Sequence, residues 1–249
     1  MRILGIESSS MVASVAVVTD GVTTAEYTVN FKKTHSQTLL PMIDEVARML
    51  ELELSSVDAI AVSGGPGSFT GLRIGSATAK GLGLALNKPL IHVPTVDAMA
   101  YNLYGAAALI CPIMDARRNQ VYTGLYHFTQ EFEIVKPQCA MDVAELAGEL
   151  NERGEAVIFL GDGVPVYEQR LRELLTVPCA FAPAHVNRQR AASVAALGAV
   201  YYAAGRTETA EEHVPDYLRK AQAERELEEA RRQGKTQELA AGHSVGVGQ

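Results

Sequence analysis

The stretch Gly64-Gly65-Pro66-Gly67-Ser68-Phe69-Thr70-Gly71 has the residue types of an anion-holding loop. It follows a short apolar run, Ala59-Ile60-Ala61-Val62, and opens a helix predicted over residues 71–86. Free amides at a helix start favour negative charge. The loop lacks the lysine of a phosphate-binding P-loop, so that motif is excluded. Its other reading is a tight turn that needs glycine, with Ser68 or Thr70 capping the helix. Three further polar stretches carry an acid: Glu7-Ser8-Ser9-Ser10-Met11, Asp115-Ala116-Arg117-Arg118-Asn119-Gln120 and Gly161-Asp162-Gly163. The six histidines stand at 35, 92, 127, 185, 213 and 243. No two are four apart, which excludes a pair of metal ligands on one helix face and the zinc-peptidase motif. Cys111, Cys139 and Cys179 form no CxxC pair and read as free thiols in a reducing compartment.

The elements that position these stretches can be read from periodicity. Residues 2–6 and 12–18 are β-rich and make a hairpin around the first polar turn, and Ala25 to Phe31 continues as a third β-type stretch. A helix follows over residues 36–50, with Leu39, Ile43, Val46 and Leu50 recurring at three- and four-residue steps. The run 59–62 reads as a buried parallel strand. After the helix over 71–86 come a strand over 90–93 and a helix near 96–104. The second half starts again: strand 109–114, acid-bearing turn, strand 121–128, helix near 142–153, strand 156–160, helix near 166–175 and an Ala-rich helix near 190–204. Strands alternating with helices give an α/β sheet. Two βββαβα-like halves in tandem are the pattern of the actin-like superfamily of sugar kinases and Hsp70 ATPases, a duplicated two-lobed fold. The division is an N-terminal lobe over 1–105, a C-terminal lobe over 106–220 and a charged helical or disordered tail over 221–249.

Within the helix over 71–86, Gly71, Gly75, Ala79 and Gly83 recur four apart and fall on one face. Glycine inside a helix costs roughly 1 kcal/mol relative to alanine. Three on one stripe need a close neighbour in return. That neighbour is either an internal helix, with 36–50 the expected one because it has an apolar stripe of its own, or a helix of another subunit.

Composition excludes other classes. The net charge is −7 and no long basic run occurs beyond Arg117-Arg118 and Arg231-Arg232, so the chain is not expected to grip nucleic acid by itself. No apolar run approaches the 18 or so residues of a membrane helix, and a cytoplasmic protein is expected. Tryptophan is absent and the core must be aliphatic.

The eleven residues Gly65-Pro66-Gly67-Ser68-Phe69-Thr70-Gly71-Leu72-Arg73-Ile74-Gly75 resemble the hallmark of the TsaB/YeaZ family. So do His35-Ser36 with Leu39-Leu40-Pro41, Asp115-Ala116-Arg117-Arg118 with Val121-Tyr122, and Tyr217-Leu218-Arg219. Glu7 departs from the Asp that the family more often has there, and the tail beyond Arg219 is not covered. The resemblance implies a non-catalytic subunit of the complex that forms the threonylcarbamoyl group on adenosine 37 of tRNAs reading codons that begin with A. It implies pairing with the catalytic paralogue TsaD, work with the ATPase TsaE, a homodimer in isolation, and tRNA contact only through the complex. Catalytic residues and a metal are not expected. The partner interface is then assigned to Leu39, Ile43, Gly71, Arg73, Gly75, Ala79 and Gly83. The superfamily places its phosphate and adenosine loops at the acid-bearing stretches, so Glu7, Ser8, Ser9, Asp115, Arg117, Arg118, Gly161, Asp162 and Gly163 are candidate contacts to a weakly held nucleotide or a partner. His35 is expected at the surface or as a cap. The alternative is an ATP-dependent small-molecule kinase or a metallopeptidase-like enzyme of the same fold. The tail has few apolar residues. Removing Gln233–Gln249 is expected to leave the melting temperature unchanged, which thermal unfolding of both chains checks.

Overall fold

A computed structural model describes residues 1–31, 34–129 and 131–218, and it builds one sheet topology twice. In the first half, strands β1 (Arg2–Glu7), β2 (Val12–Thr19) and β3 (Val22–Asn30) form an antiparallel meander. Helix α1 (His35–Met49) leads to β4 (Ala59–Ser63), which pairs parallel with β1. Helix α2 (Phe69–Leu86) leads to β5 (Leu90–Val93), parallel with β4, and α3 (Thr95–Tyr101) leaves the sheet. The second half repeats the order with β6 (Leu109–Asp115), β7 (Gln120–Phe128), β8 (Phe132–Asp142), α4 (Val143–Arg153), β9 (Val157–Leu160), α5 (Val164–Leu174) and β10 (Cys179–Phe181). Helix α6 (Ala191–Ala203) closes the array. This is the duplicated α/β, actin-like arrangement that the pattern of elements implies.

The central strands are apolar throughout because both faces are covered. Leu4, Ile6, Ile60 and Val62 pack with Leu39, Met42, Ile43 and Val46 of α1 and Ala79 of α2. The alternate residues Ile3, Ala59, Ala61, Ile91 and Val93 pack with Val194, Ala195 and Leu197 of α6. Leu39 and Ile43 are thus core residues with 1% and 2% exposure, and their assignment to a partner interface is corrected.

Helix α6 lies in the sequence of the second half but covers the first sheet. It approaches closely because small residues meet there: a Cβ on Gly5 would strike the Ala191 carbonyl, and one on Gly198 would strike the Ala61 Cβ. Its first free amides are met from the other half of the chain. Ala191 N donates to Ser14 Oγ at 3.0 Å and Ala192 N to Glu26 Oε1 at 3.2 Å, while Arg190 pairs with Glu26. Asp97 at the start of α3 ties the sheets together: Tyr126 of β7 and Tyr201 of α6 both donate their hydroxyls to it.

Two strands were not anticipated. Strand β8 carries Lys136, Pro137 and Gln138, and a proline reads against a strand unless the strand is an edge, which β8 is. Strand β10 is three residues long at the opposite edge, held by pairing with β9 rather than by any pattern of its own. The tail over 221–249, and with it the expectation for Gln233–Gln249, lies outside the described residues.

The stripe on α2 generates a paired prediction. A Cβ on Gly71 would strike the Ser8 carbonyl, whereas one on Gly81, on the exposed face, meets nothing within 4 Å. Gly71→Ala should destabilise the chain by about 1–3 kcal/mol. Gly81→Ala should stabilise it by up to about 1 kcal/mol. Urea unfolding of the two variants beside the parent reads the opposite signs.

Candidate functional site

The glycine-rich loop and the turn between β1 and β2 fold onto each other. Ser68 is the N-cap of α2: its Oγ accepts from Gly71 N at 3.3 Å. Ser68 N donates to the Ser9 carbonyl at 2.6 Å, and Leu72 N to the Ser68 carbonyl at 2.8 Å. Ser68 N and Gly71 N, two amides that an anion could take at a bare helix start, are here engaged by the chain itself. Ser8 Oγ donates to the Gly71 carbonyl at 2.9 Å and Ser8 N to Ser63 Oγ at 3.3 Å. The glycines permit this approach, since a Cβ on Gly67 or Gly71 would strike the Ser9 or Ser8 carbonyl and one on Gly75 would strike Ser8 Oγ. Gly71, Gly75, Ala79 and Gly83 are all buried. The stripe therefore seats α2 on its own sheet and turn, and its assignment to a partner surface is corrected. Arg73, on the other face, is exposed and stacks its guanidinium 4.0 Å over the Phe69 ring. His35 is buried, not a surface group, and its Nε2 bonds the Ser10 carbonyl at 2.7 Å, bracing the same turn.

Three of the sequence-selected acids gather where the two halves face each other. Glu7 is 1% exposed and accepts from both Ser9 N and Ser9 Oγ at 2.6 Å. Burial pushes its carboxyl up to about 7; the Ser9 bonds oppose that shift and the charge of Asp162 adds to it. Asp162 is raised by burial as well, with Gln189 Nε2 donating to its Oδ1 at 2.9 Å and the charge of Asp115 adding to the rise. Gly161 and Gly163 bring this stretch against β6: Gly163 N donates to the Ile113 carbonyl at 3.0 Å, and Gly161 has φ +113°.

The turn after β6 is the exposed part of the site. Arg117, Arg118 and Asn119 take φ values of 62°, 55° and 59° in succession. Left-handed backbone costs a residue with a Cβ roughly 1–2 kcal/mol. Asp115 holds the turn through Oδ1, which accepts from Arg117 N at 2.8 Å and from Tyr167 OH at 3.0 Å. Ala116 N donates to the Gln120 carbonyl at 2.9 Å and Val143 N to the Asn119 carbonyl at 2.9 Å. An open cavity of about 600 Å³ lies here, lined by Asp115, Arg117, Arg118, Tyr167 and Arg170 among others. Tyr167 and Arg170 were missed by sequence reasoning, because α5 carries no mark beyond an amphipathic helix.

The outer face of the first half offers a second surface. Helices α1 and α2 pack side by side, and Leu40, Met49 and Leu84 are each more than half exposed. On α2 the exposed positions Thr70, Arg73, Ala77 and Gly81 follow helical spacing, opposite the buried stripe. The small side chains at 77 and 81 leave backbone open to a neighbour.

Residues 25–227 match the family model described as TsaD, tRNA N6-adenosine threonylcarbamoyltransferase. The chain is 34% identical over 227 residues to the tRNA threonylcarbamoyladenosine biosynthesis protein TsaB of Bacillus subtilis, spanning 90% of this chain and 96% of that one. It is 32% identical to the protein of the same name in Escherichia coli, over 60% of this chain and 69% of that one. Among solved structures it resembles YeaZ from Pseudomonas aeruginosa, with a TM-score of 0.75 and 27% identity over 87% of this chain and 99% of that one. A second Pseudomonas aeruginosa structure, described as an uncharacterized protein with similarity to peptidase YEAZ, gives a TM-score of 0.76 and 28% identity over 88% and 99%.

Glu7 makes the pH dependence of stability testable. Its folded value, about 7, lies above the ordinary 4.5, so the folded chain binds this proton more tightly than the unfolded chain. Stability therefore falls as pH rises between those values. Asp97 and Asp162, also raised by burial, act in the same direction. Glu7→Gln keeps the acceptor for Ser9 and removes the charge. It should raise stability at pH 8 by up to about 3 kcal/mol and change it little at pH 4.5. Urea unfolding at both pH values decides; an equal gain at both would exclude the charge as the cause.

Proposed function

The chain belongs to the TsaB family of tRNA threonylcarbamoyladenosine biosynthesis proteins, and we propose that it acts there as a non-catalytic subunit that binds and stabilises the catalytic paralogue TsaD. One observation carries this reading. The turn after β1, where kinases of this fold take up phosphate, is closed by the chain's own α2, with Ser68 N engaged by the Ser9 carbonyl. Three packed glycines leave no room to reopen it without moving the helix. A subunit that has given up its phosphate loop keeps the fold as a binding surface.

The outer face of α1 and α2 is the surface for the partner. Leu40, Met49 and Leu84 supply apolar area, and Arg73 supplies charge. In the absence of TsaD the same face pairs with a second copy. The net charge of −7 leaves tRNA to be gripped by the assembled complex. The strained turn at Asp115, Arg117 and Arg118, set beside an open cavity, is the contact for TsaE or for a weakly held nucleotide. No helix among the described residues is long and apolar enough to cross a membrane, which fits a site of action in the cytoplasm. The peptidase likeness named for one structural neighbour is not carried over, because no two histidines here are four apart.

The test is reconstitution of tRNA modification with TsaD and TsaE, with and without this chain. Modification should depend on the chain, and the chain alone should turn over neither ATP nor peptide. Leu84→Asp should abolish co-purification with TsaD while shifting stability by no more than about 0.5 kcal/mol. Reversing Arg117 and Arg118 together to Glu should leave TsaD binding intact and lower modification. Full modification without the chain, or undiminished TsaD binding by the Leu84 variant, would overturn the proposal.

A further inference from the structure

Two histidines that are 121 positions apart in sequence come together at the edge of the first sheet. His92 lies on β5. The segment after α6 returns beside that strand: Leu90 N donates to the Glu208 carbonyl at 2.9 Å and Glu208 N to the Leu90 carbonyl at 3.0 Å. The chain then turns through Thr209–Glu212, where Thr209 N donates to Glu212 Oε2 at 2.9 Å and His213 N to the Thr209 carbonyl at 3.2 Å. This brings His213 back over Glu208. One nitrogen of each histidine and one carboxylate oxygen of Glu208 lie within 4.8 Å of one another, and the two rings are 5.7 Å apart.

The state of His213 gives the cluster its chemistry. Its side chain has no exposed surface. Nδ1 bonds Glu208 Oε1 at 2.6 Å, while Nε2 is buried and has no hydrogen-bond partner. With Nδ1 donating to the carboxylate, Nε2 keeps a lone pair that nothing satisfies. A buried polar atom left unpaired is destabilising, and a ligand that takes the lone pair relieves this. On loading with a metal ion, Glu208 would leave Nδ1 for the ion, since one carboxylate cannot hold Nδ1 and ligate a metal at Nε2 of the same ring. The neutral imidazole is the form that ligates a metal. The nearby Lys80 Nζ donates to the His213 carbonyl at 3.0 Å and to that of Glu211 at 3.4 Å.

We propose that His92, Glu208 and His213 hold one divalent transition-metal ion, zinc by donor set, which pins residues 206–216 to the edge of β5. Two imidazoles and a carboxylate suit zinc, with bonds of about 2.0–2.2 Å. A tetrahedral site needs donor atoms closer than they stand here. His92 and Glu208 remain partly exposed, so their side chains have room to swing inward and the ion a route from solvent. Asp216 reinforces the site from outside: Asp216 Oδ2 lies 3.2 Å from His92 Nε2, and its backbone N donates to the Gly64 carbonyl at 2.6 Å. The ion would thereby brace the segment that abuts the glycine-rich loop. Spacing along the sequence excludes a histidine pair on one helix, but it says nothing about a pair assembled by tertiary structure.

The experiment uses the full, tag-free chain, stripped with a chelator and titrated with zinc chloride by calorimetry. It also measures metal content by mass spectrometry after dialysis, and the absorption of the cobalt-substituted chain. The expected result is one equivalent of zinc per chain, a tetrahedral cobalt band and a higher melting temperature on loading. His92→Gln, at the half-buried ligand, should weaken binding at least tenfold while the metal-free variant melts as the metal-free parent does. Glu208→Gln should weaken binding by at least as much. Should His213→Ala not fold, these two variants still decide. Absence of saturable uptake, or uptake unchanged in both variants, would overturn the proposal.

Discussion

The carbonyls of Ser8 and Ser9 rest where the Cβ atoms of Gly67 and Gly71 would be. This close approach sets the position of α2, because Ser68 N, Ser68 Oγ and the Gly71 carbonyl are all bonded across or within the same junction. His35 anchors α1 to the adjacent Ser10 carbonyl, so both outer helices of the first half are registered on one buried turn. The turn is polar and lies under two helices. It is tolerated because Ser8 N, Ser8 Oγ, Ser9 N, Ser9 Oγ, Ser68 N and His35 Nε2 each find a partner in the chain. The same bonds that fix the helices engage Ser68 N and Gly71 N, two amides that a phosphate at this loop could take.

That arrangement divides α2 into two faces with different tasks. On the inner face the stripe Gly71, Gly75, Ala79 and Gly83 is nearly without side chains and lets the backbone approach its neighbours, beside the buried Leu72 and Ser76. The outer face keeps Arg73 and Leu84 in solvent, and its small residues at 77 and 81 leave a shallow surface. Glycine on the inner face has a steric reason. Gly81 on the outer face has none among the described residues.

The region between the halves carries a different constraint. Glu7 ends β1 and Asp162 follows β9, and burial raises both. Like charges brought together in a poorly solvated place disfavour ionisation of one another. The chain retains these acids at an energetic disadvantage near neutral pH, while the exposed turn at Arg117–Asn119 holds backbone strain of its own.

What the sequence determined by itself were the elements whose periodicity is internal: the apolar central strands, the helices from α1 to α6, and the repetition that makes the fold a duplication. The eleven residues from Gly65 to Gly75 carried the family. The edge strands β8 and β10 were not legible, because an edge is stabilised by its neighbour and needs no apolar pattern. The direction of the glycine stripe was not legible either: four-residue spacing states that one face is bare, but only packing states what lies against it, and that was Ser8. Leu39 and Ile43 likewise have the same pattern whether they face a core or a partner. His92 and His213 are far apart in the chain, and only the return of the last segment beside β5 joins them. In each case the local pattern fixes the conformation of a segment, whereas its neighbour is chosen by contacts between residues distant in sequence.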